Sequence, residues 1–312
     1  MLHIKTIEEG LDIFKALGSE VRISIIKLLT ESGGMSMNEL ATQLNITNGA
    51  LTNHIKKLEE CHLITVVNET NGHGNIKKCV TQLDKILVEV NNKEDLKNIY
   101  ETEIRVGQYS DYEIYPTCGL ATAHHLVGEV DDSRFFGHSD RFNAEILWFT
   151  RGHVEYIIPN LLPRNQKIDQ ISLSVELGSE APGINEIWPS DINFHLNGKW
   201  IGMWTSPGDF GEVKGIFTPD WWFPNWNQYG LLKLITINNK GTFVDGLKVS
   251  DMTINHFDMD YQSPIKFRFS VPEDAEHVGG LTIYGKSFGN YNHDINVRIH
   301  YSPIAQKNES EA

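Results

Sequence analysis

Proline and tryptophan are missing from a long opening stretch of this 312-residue chain. The first of its 11 prolines is Pro116, and all seven tryptophans fall between Trp148 and Trp226. A composition that changes so abruptly near residue 109 argues for two separately cored units, and 312 residues suffice for both. Cysteine is scarce as well. Cys61, Cys79 and Cys118 are an odd number without CxxC spacing, which argues against a disulfide framework. No run of about 18 apolar residues occurs and the N-terminus has no signal-peptide core, so the protein is expected in the cytoplasm with no membrane partner. HExxH is absent, and neither a GxSxG elbow nor a phosphate-binding loop is read from the chain. Basic charge is short too, with 27 Lys and Arg against 41 Asp and Glu, a net of −14. The deficit is unevenly placed: residues 1–92 hold 9 basic and 11 acidic side chains, so nearly all the excess lies beyond them.

What is present is patterned most plainly at 44–64, LNITNGALTNHIKKLEECHLI. Thr47 suits an N-cap, because its hydroxyl can accept from an orphan amide of the first turn. Leu51, Ile55 and Leu58 then fall at i, i+4 and i+7, one apolar stripe of a helix. Asn48, Thr52, Asn53 and Lys56 lie opposite, a face suited to base edges and phosphate. Upstream, Ser36 and Glu39 form a capping box for a short helix that turns Leu40, Ala41 and Leu44 inward. Two short helices joined by Asn45-Ile46 read as a helix-turn-helix. Residues 63–67 and 76–82 read as strands around Asn71-Gly72, and a hairpin after such a helix is a wing. Two further helices are expected before this pair: 6–17, with Ile7, Leu11 and Phe14 inward, and a second from Ser19 to the Gly33-Gly34 break. Leu83, Ile86, Leu87 and Val90 suggest one more after the wing.

With those residues in view, residues 4–90 resemble the winged helix-turn-helix domain of ArsR-type bacterial transcription regulators. The likeness rests on ALGSEVR at 16–22, the apolar residues from Ile25 to Leu29, and TNHIKKL at 52–58 running to Leu63-Ile64. It implies that Thr47, Asn48, Thr52, Asn53 and Lys56 read double-stranded DNA while His73, Lys77 and Lys78 touch phosphate. It also implies a homodimer joined through the first and last helices. Two departures stand out. The family often has Ala-Gly where this chain has Cys61-His62, which predicts backbone strain at His62. The cysteines of its metal-sensing members are missing from 36–44, so neither metal nor cofactor is expected.

The fold class expected is α+β multidomain. A winged helix-turn-helix spans 1–92, a linker or connecting helix 93–108, an antiparallel β-sandwich or jelly roll 109–304, and a disordered tail 305–312. The sandwich is read from apolar segments at 155–158, 170–177, 191–196, 200–204, 231–238, 248–254, 265–271, 280–284 and 295–300. Asn197-Gly198 marks the clearest hairpin.

Its loops interleave aromatic rings with carboxylates and amides. A pyranose offers a C–H face to stack on an indole and hydroxyls that need paired donors and acceptors. Trp188, Asp191, Trp204, Asp209, Trp221, Trp222, Asn225, Trp226 and Gln228 are therefore the expected ligand-binding set, whereas Trp148 and Trp200 are expected in the core. The stretch generally resembles carbohydrate-binding sandwich domains. The function read from the sequence is a one-component transcription regulator, a repressor, sensing a small polar effector of carbohydrate type. It is not read as an enzyme. Two alternatives stay open: the sandwich as a protein-interaction module, or a glycosidase-like enzyme fused to a DNA-binding domain.

Overall fold

The computed structural model describes residues 2–4, 6–71, 74–81, 85–88, 90 and 98–304, which divide into one unit at 1–93 and another at 94–312. The first unit runs β1 (Leu2–Ile4), α1 (Leu11–Leu17), α2 (Glu20–Ser32), β2 (Met35–Ser36), α3 (Met37–Gln43), α4 (Asn48–Glu60), β3 (Thr65–Asn71), β4 (Gly74–Val80) and β5 (Ile86–Val88). Its core gathers Ile25 and Leu29 of α2, Leu40 of α3, and Leu51, Ile55 and Leu58 of α4. Each is worth about 1.5–3 kcal/mol when taken fully out of water. The capping box of α3 is complete, with the Ser36 hydroxyl accepting from the Glu39 amide and the Glu39 carboxylate accepting from the Ser36 amide. Arg22 ties α2 to α1, its guanidinium donating to the carbonyls of Ala16 and Lys15 at the end of α1. Gly33, at φ 68°, ends α2.

Both outer elements of this unit depart from the sequence reading. The first helix begins only at Leu11, and Ile7, Leu11 and Phe14 are 48%, 53% and 40% exposed rather than inward. The inward positions are Ala16, with Ile13 and Leu17 packed beside it. The expected helix near 83–90 contains strand β5, which pairs in parallel with β1 through Leu2↔Ile86 and Ile4↔Val88. A short apolar run fits either period, and here the pairing partner decides. The wing strands run out to Asn71 and back from Gly74, so the first ends later and the second starts earlier than expected, and β2 joins them through Met35↔Cys79.

The second unit is a 12-stranded antiparallel sheet that nearly closes on itself. Its strands are β6 (Ile99–Ile104), β7 (Asp111–Ala121), β8 (Ile146–Ile158), β9 (Gln166–Gly178), β10 (Ser190–Leu196), β11 (Lys199–Ser206), β12 (Leu231–Asn238), β13 (Gly241–Val244), β14 (Leu247–Ser250), β15 (Ile265–Val271), β16 (Leu281–Tyr284) and β17 (Ile295–Pro303). The main path is β11-β10-β15-β8-β16-β9-β12-β13-β14. The two ends of that path come together where the Ser250 hydroxyl donates to the Ile201 carbonyl. Asn197 and Gly198 take φ 45° and 78°, the pair of positive angles that a type I′ hairpin demands. Residues 93–108, expected as a linker, supply β6, which pairs with β17 from Ile104↔Ile295 to Ile99↔His300. Strands β7 and β13 lay outside the sequence reading. The expected tail at 305–312 lies outside the described residues.

His62 has φ 56°, the left-handed region that costs a side-chain-bearing residue about 1–2 kcal/mol. Its side chain is exposed, so glycine there would lose little packing. His62→Gly is expected to stabilise the first unit by about 0.5–1 kcal/mol after the extra entropy of an unfolded glycine is counted. Denaturant unfolding of the intact protein followed by helical circular dichroism checks this, and an earlier midpoint for the variant would contradict it.

Candidate functional site

In the first unit, the polar face of α4 stands in solvent. Thr47 caps the helix by accepting from the Ala50 amide at 3.2 Å. Thr47, Asn48, Thr52, Asn53 and Lys56 are all exposed, while Leu51, Ile55 and Leu58 are buried. The first turn of α4 has no acidic side chain, so its uncovered amides present the positive end of the helix dipole to an approaching anion. Asn48 donates to the Asn38 side chain at 3.1 Å and thereby braces α4 against α3. On the wing, Lys77 is exposed and Lys78 partly buried, and His73 lies outside the described residues. Cys79 is fully buried against Met37, and burial pushes its thiol up to about 11. A thiol held protonated in this way is a poor nucleophile and a poor metal ligand.

In the second unit, the structure scatters part of the expected aromatic set. Trp222 is 4% exposed and fills an aromatic cluster with Trp148, Tyr284 and Phe288, its indole N–H donating to the Asn227 carbonyl. Trp221 packs against that cluster and donates to the Ala123 carbonyl at 2.7 Å. Gln228 is buried and spends its amide on the Phe223 and Trp226 carbonyls. Asp191 is buried and accepts from the Thr205 hydroxyl and the His277 amide. Trp204 covers the Lys233 ammonium at 4.4 Å, above the buried Lys233–Asp245 pair. Trp188 is partly buried, and Asn225 is exposed. Trp200, expected in the core, is 44% exposed and donates to Asn193 at 2.7 Å.

Two members of that set, Asp209 and Trp226, meet in a pocket of about 150 Å³ with Thr117, Val130, Asp131, Trp148, Glu180, Ala181, Pro182, Gly183 and Asn227. Trp148 lies in β8 directly across from Gly119 of β7, where any side chain would strike the indole. Trp226 meets Trp148 nearly edge to face, with ring centroids 5.8 Å apart. The loops after β9 and β11 join through mutual backbone bonds of Asn185 and Asp209, which hold Asp209 beside Glu180. Behind Glu180 the chain passes at Gly280, whose φ of 75° and close approach to the Glu180 Cβ leave room only for glycine.

The carboxyls of this pocket are unequally served. Glu180 receives the Thr117 hydroxyl at 3.3 Å and the Asn227 amide at 3.2 Å. Asp209, 1% exposed, receives the Ala181 amide at 3.0 Å on Oδ2, and its Oδ1 meets no hydrogen-bonding partner among the described residues. Burial pushes Asp209 up to about 7. Glu180 is raised well above the ordinary carboxylate range, first by burial and then by the Asp209 charge. Thr117, Asp131, Glu180 and Asn227 lay outside the expected ligand-binding set; Thr117 and Asp131 come here only through long-range pairing, whereas Asn227 directly follows Trp226.

Two motifs need correction. Residues 285–289, GKSFG, have the GxSxG spacing, but the next element is a strand at 295–303 and not the helix that a nucleophile elbow opens onto. Residues 280–287, GLTIYGKS, do have the GxxxxGKS spacing of a phosphate-binding loop. Their middle is strand β16, in the sheet between β8 and β9, and Lys286 is paired with Glu103. The motif needs a loop opening onto a helix N-terminus, and this segment has neither.

Residues 19–65 match the family of winged helix-turn-helix DNA-binding domains. Over 50 residues the chain is 42% identical to an uncharacterized protein of Methanocaldococcus jannaschii, a match covering 16% of this chain and 54% of that one. The chain thus spans about half the length of this relative. Among solved structures, a possible transcriptional regulator from Methanosarcina mazei Go1 is similar over 23% of this chain and 64% of its own, at 14% identity and a TM-score of 0.21. The family match over residues 19–65 gives the first unit a winged helix-turn-helix DNA-binding domain.

The Asp209 environment sets a pH dependence. Unfolded, the group releases its proton near the ordinary 3.8; folded, it holds it to about 7. The unfolded chain then binds fewer protons across that window, so stability falls as pH rises from about 4 to 7 and levels off above. Asp209→Asn should flatten that slope and stabilise the second unit at pH 8 by on the order of 1–3 kcal/mol. Urea unfolding followed by tryptophan emission reports this unit alone, since it contains all seven tryptophans. An unchanged slope would refute the assignment.

Proposed function

We propose that the protein is a one-component transcription regulator, a repressor of ArsR-like type, that binds operator DNA through α4 and the wing. The observation that carries this reading is the exposed row Thr47, Asn48, Thr52, Asn53 and Lys56 opposite a fully buried stripe. Neutral donors and acceptors at the helix start suit base edges, and Lys56 and Lys77 suit the flanking phosphates. The protein acts as a homodimer. The last helix expected to join it is strand β5, so the exposed Ile7, Leu11 and Phe14 take that role.

The second unit senses a small polar ligand, a sugar, in the pocket of Thr117, Trp148, Glu180, Asp209, Trp226 and Asn227. Its volume of about 150 Å³ lies below the roughly 300–1,000 Å³ of drug-sized sites, which favours a single small ring over an oligomer. The unpartnered Oδ1 of Asp209 supports a ligand that donates a hydrogen bond. Ligand can alter DNA affinity by no more than its own preference for the DNA-competent state. Catalysis is less well supported. A glycosidase pair needs one ionised carboxylate beside one protonated acid, whereas burial raises both Glu180 and Asp209.

Replacing Asn53 with Ala should relax base preference, while Lys77→Ala should weaken all duplexes alike and lower the salt slope by about one. Equal losses from both, with preference unchanged, would remove α4 from the groove. Light scattering should give about 71 kDa, twice the 35.4 kDa chain, and Leu11→Glu with Phe14→Glu should halve it. A monomeric parent protein that still binds DNA fully would end the dimer proposal.

A further inference from the structure

We infer that the pocket containing Asp209 and Glu180 is built for a hydroxylated ligand that carries a protonated amine, an amino sugar rather than a neutral one. The inference rests on the reading of this pocket as the effector site. Its first support is the composition of the wall. Three carboxyls line it, Asp131, Glu180 and Asp209, together with the indoles of Trp148 and Trp226, and no Lys, Arg or His joins them among the described lining residues.

The second support is how this unit treats its other buried acids. Glu176 accepts from the Gly230, Asn290 and Tyr291 amides at 2.8, 3.0 and 3.1 Å. Asp191 is met by Thr205 and His277, and Asp245 by the Lys233 ammonium at 2.9 Å. Asp209 has a single amide and a buried Oδ1 without a partner. Asp294 also has an Oδ1 without a partner, but the Lys286 ammonium lies 3.8 Å from its other oxygen and it does not line the pocket. The donor that Asp209 lacks is one a ligand can bring.

A hydroxyl would satisfy Oδ1 but leave the ionised form of a buried carboxyl as disfavoured as before. An ammonium satisfies it and offsets that cost at once, because an opposite charge beside a carboxyl favours the ionised form. Indole faces add to the preference, since the ring quadrupole attracts cations and does so most strongly in tryptophan. The ionisable groups around Asp209 are all acidic: Glu180 beside it, Asp131 acting on Glu180, and the Tyr284 phenol, which feels Asp209, Glu176 and Glu180. On binding, the amine stays protonated and the carboxyl proton leaves for solvent, so the step releases up to one proton per ligand and conserves charge.

The test is calorimetric titration of the full-length protein with glucosamine, galactosamine and mannosamine, each beside its neutral parent glucose, galactose or mannose, from pH 6 to 8.5. At least one amine should bind about tenfold or more tighter than its parent at pH 7. Its affinity should rise several-fold between pH 6 and 7, following Asp209 near 7, and fall again above about 8 as the free amine loses its proton. Buffers of different ionisation enthalpy should report proton release. Asp209→Asn should cost the amine about tenfold and remove the rise between pH 6 and 7. Glu180→Gln repeats the test should the first variant fail to fold. A neutral sugar that binds as well as its amine, or binding that weakens as pH rises from 6 to 7, overturns the charge inference and leaves the effector site standing. If neither series binds, the effector-site reading falls, and the inference with it.

Discussion

A carboxyl group taken out of water must be protonated, hydrogen-bonded or paired with a cation, and that constraint orders one end of the second unit. Glu176, Glu180 and Asp209 are all raised by burial at the ends of β9 and β11. The fold answers the first with three backbone amides, the second with side-chain donors, and the third only in part. Of these three, Asp209 is the one whose donors are incomplete. The aromatic cluster makes that incompleteness stable. Trp222, Phe288 and Tyr284 pack beneath Trp148 and Trp226, so the pocket wall is also the lid of a core.

The first unit shows the opposite economy of charge. Its helices bury apolar stripes almost completely and leave α4 with a polar face that nothing in the unit covers. The chain's −14 net charge sits almost wholly beyond residue 92, so the DNA-binding unit is close to neutral. Few phosphates can be neutralised by so modest a basic complement. Affinity for random duplex should accordingly be low, and specificity must come from α4 and its short-range hydrogen bonds.

Much of the architecture was legible because it follows from local rules. The Ser36–Glu39 box, the Thr47 cap, the stripe of α4, the Asn197-Gly198 turn and the strain at His62 each depend on neighbours in sequence, and each appears. The misreadings share a cause. Helix or strand at 83–90 depended on a partner at residues 2–4, and the strand at 99–104 on one at 295–300. The pocket was half legible for the same reason. Aromatic and acidic residues clustered in the loops could be seen, but only sheet register decides that Asp209 and Trp226 meet Thr117 and Glu180 while Trp188, Trp204 and Asp191 do not line that pocket. Tryptophan density marked the region and misplaced its centre, because Trp222 serves the core.

The account stands on the first unit reading sequence in duplex DNA. The most direct measurement is selection of duplexes from a random pool by the intact protein, followed by sequencing of what is retained. Enrichment of a short motif repeated with twofold symmetry is the result the account predicts, one half-site for each α4 of the proposed dimer. A retained pool whose sequences match the starting pool, with binding set by salt alone, would contradict it.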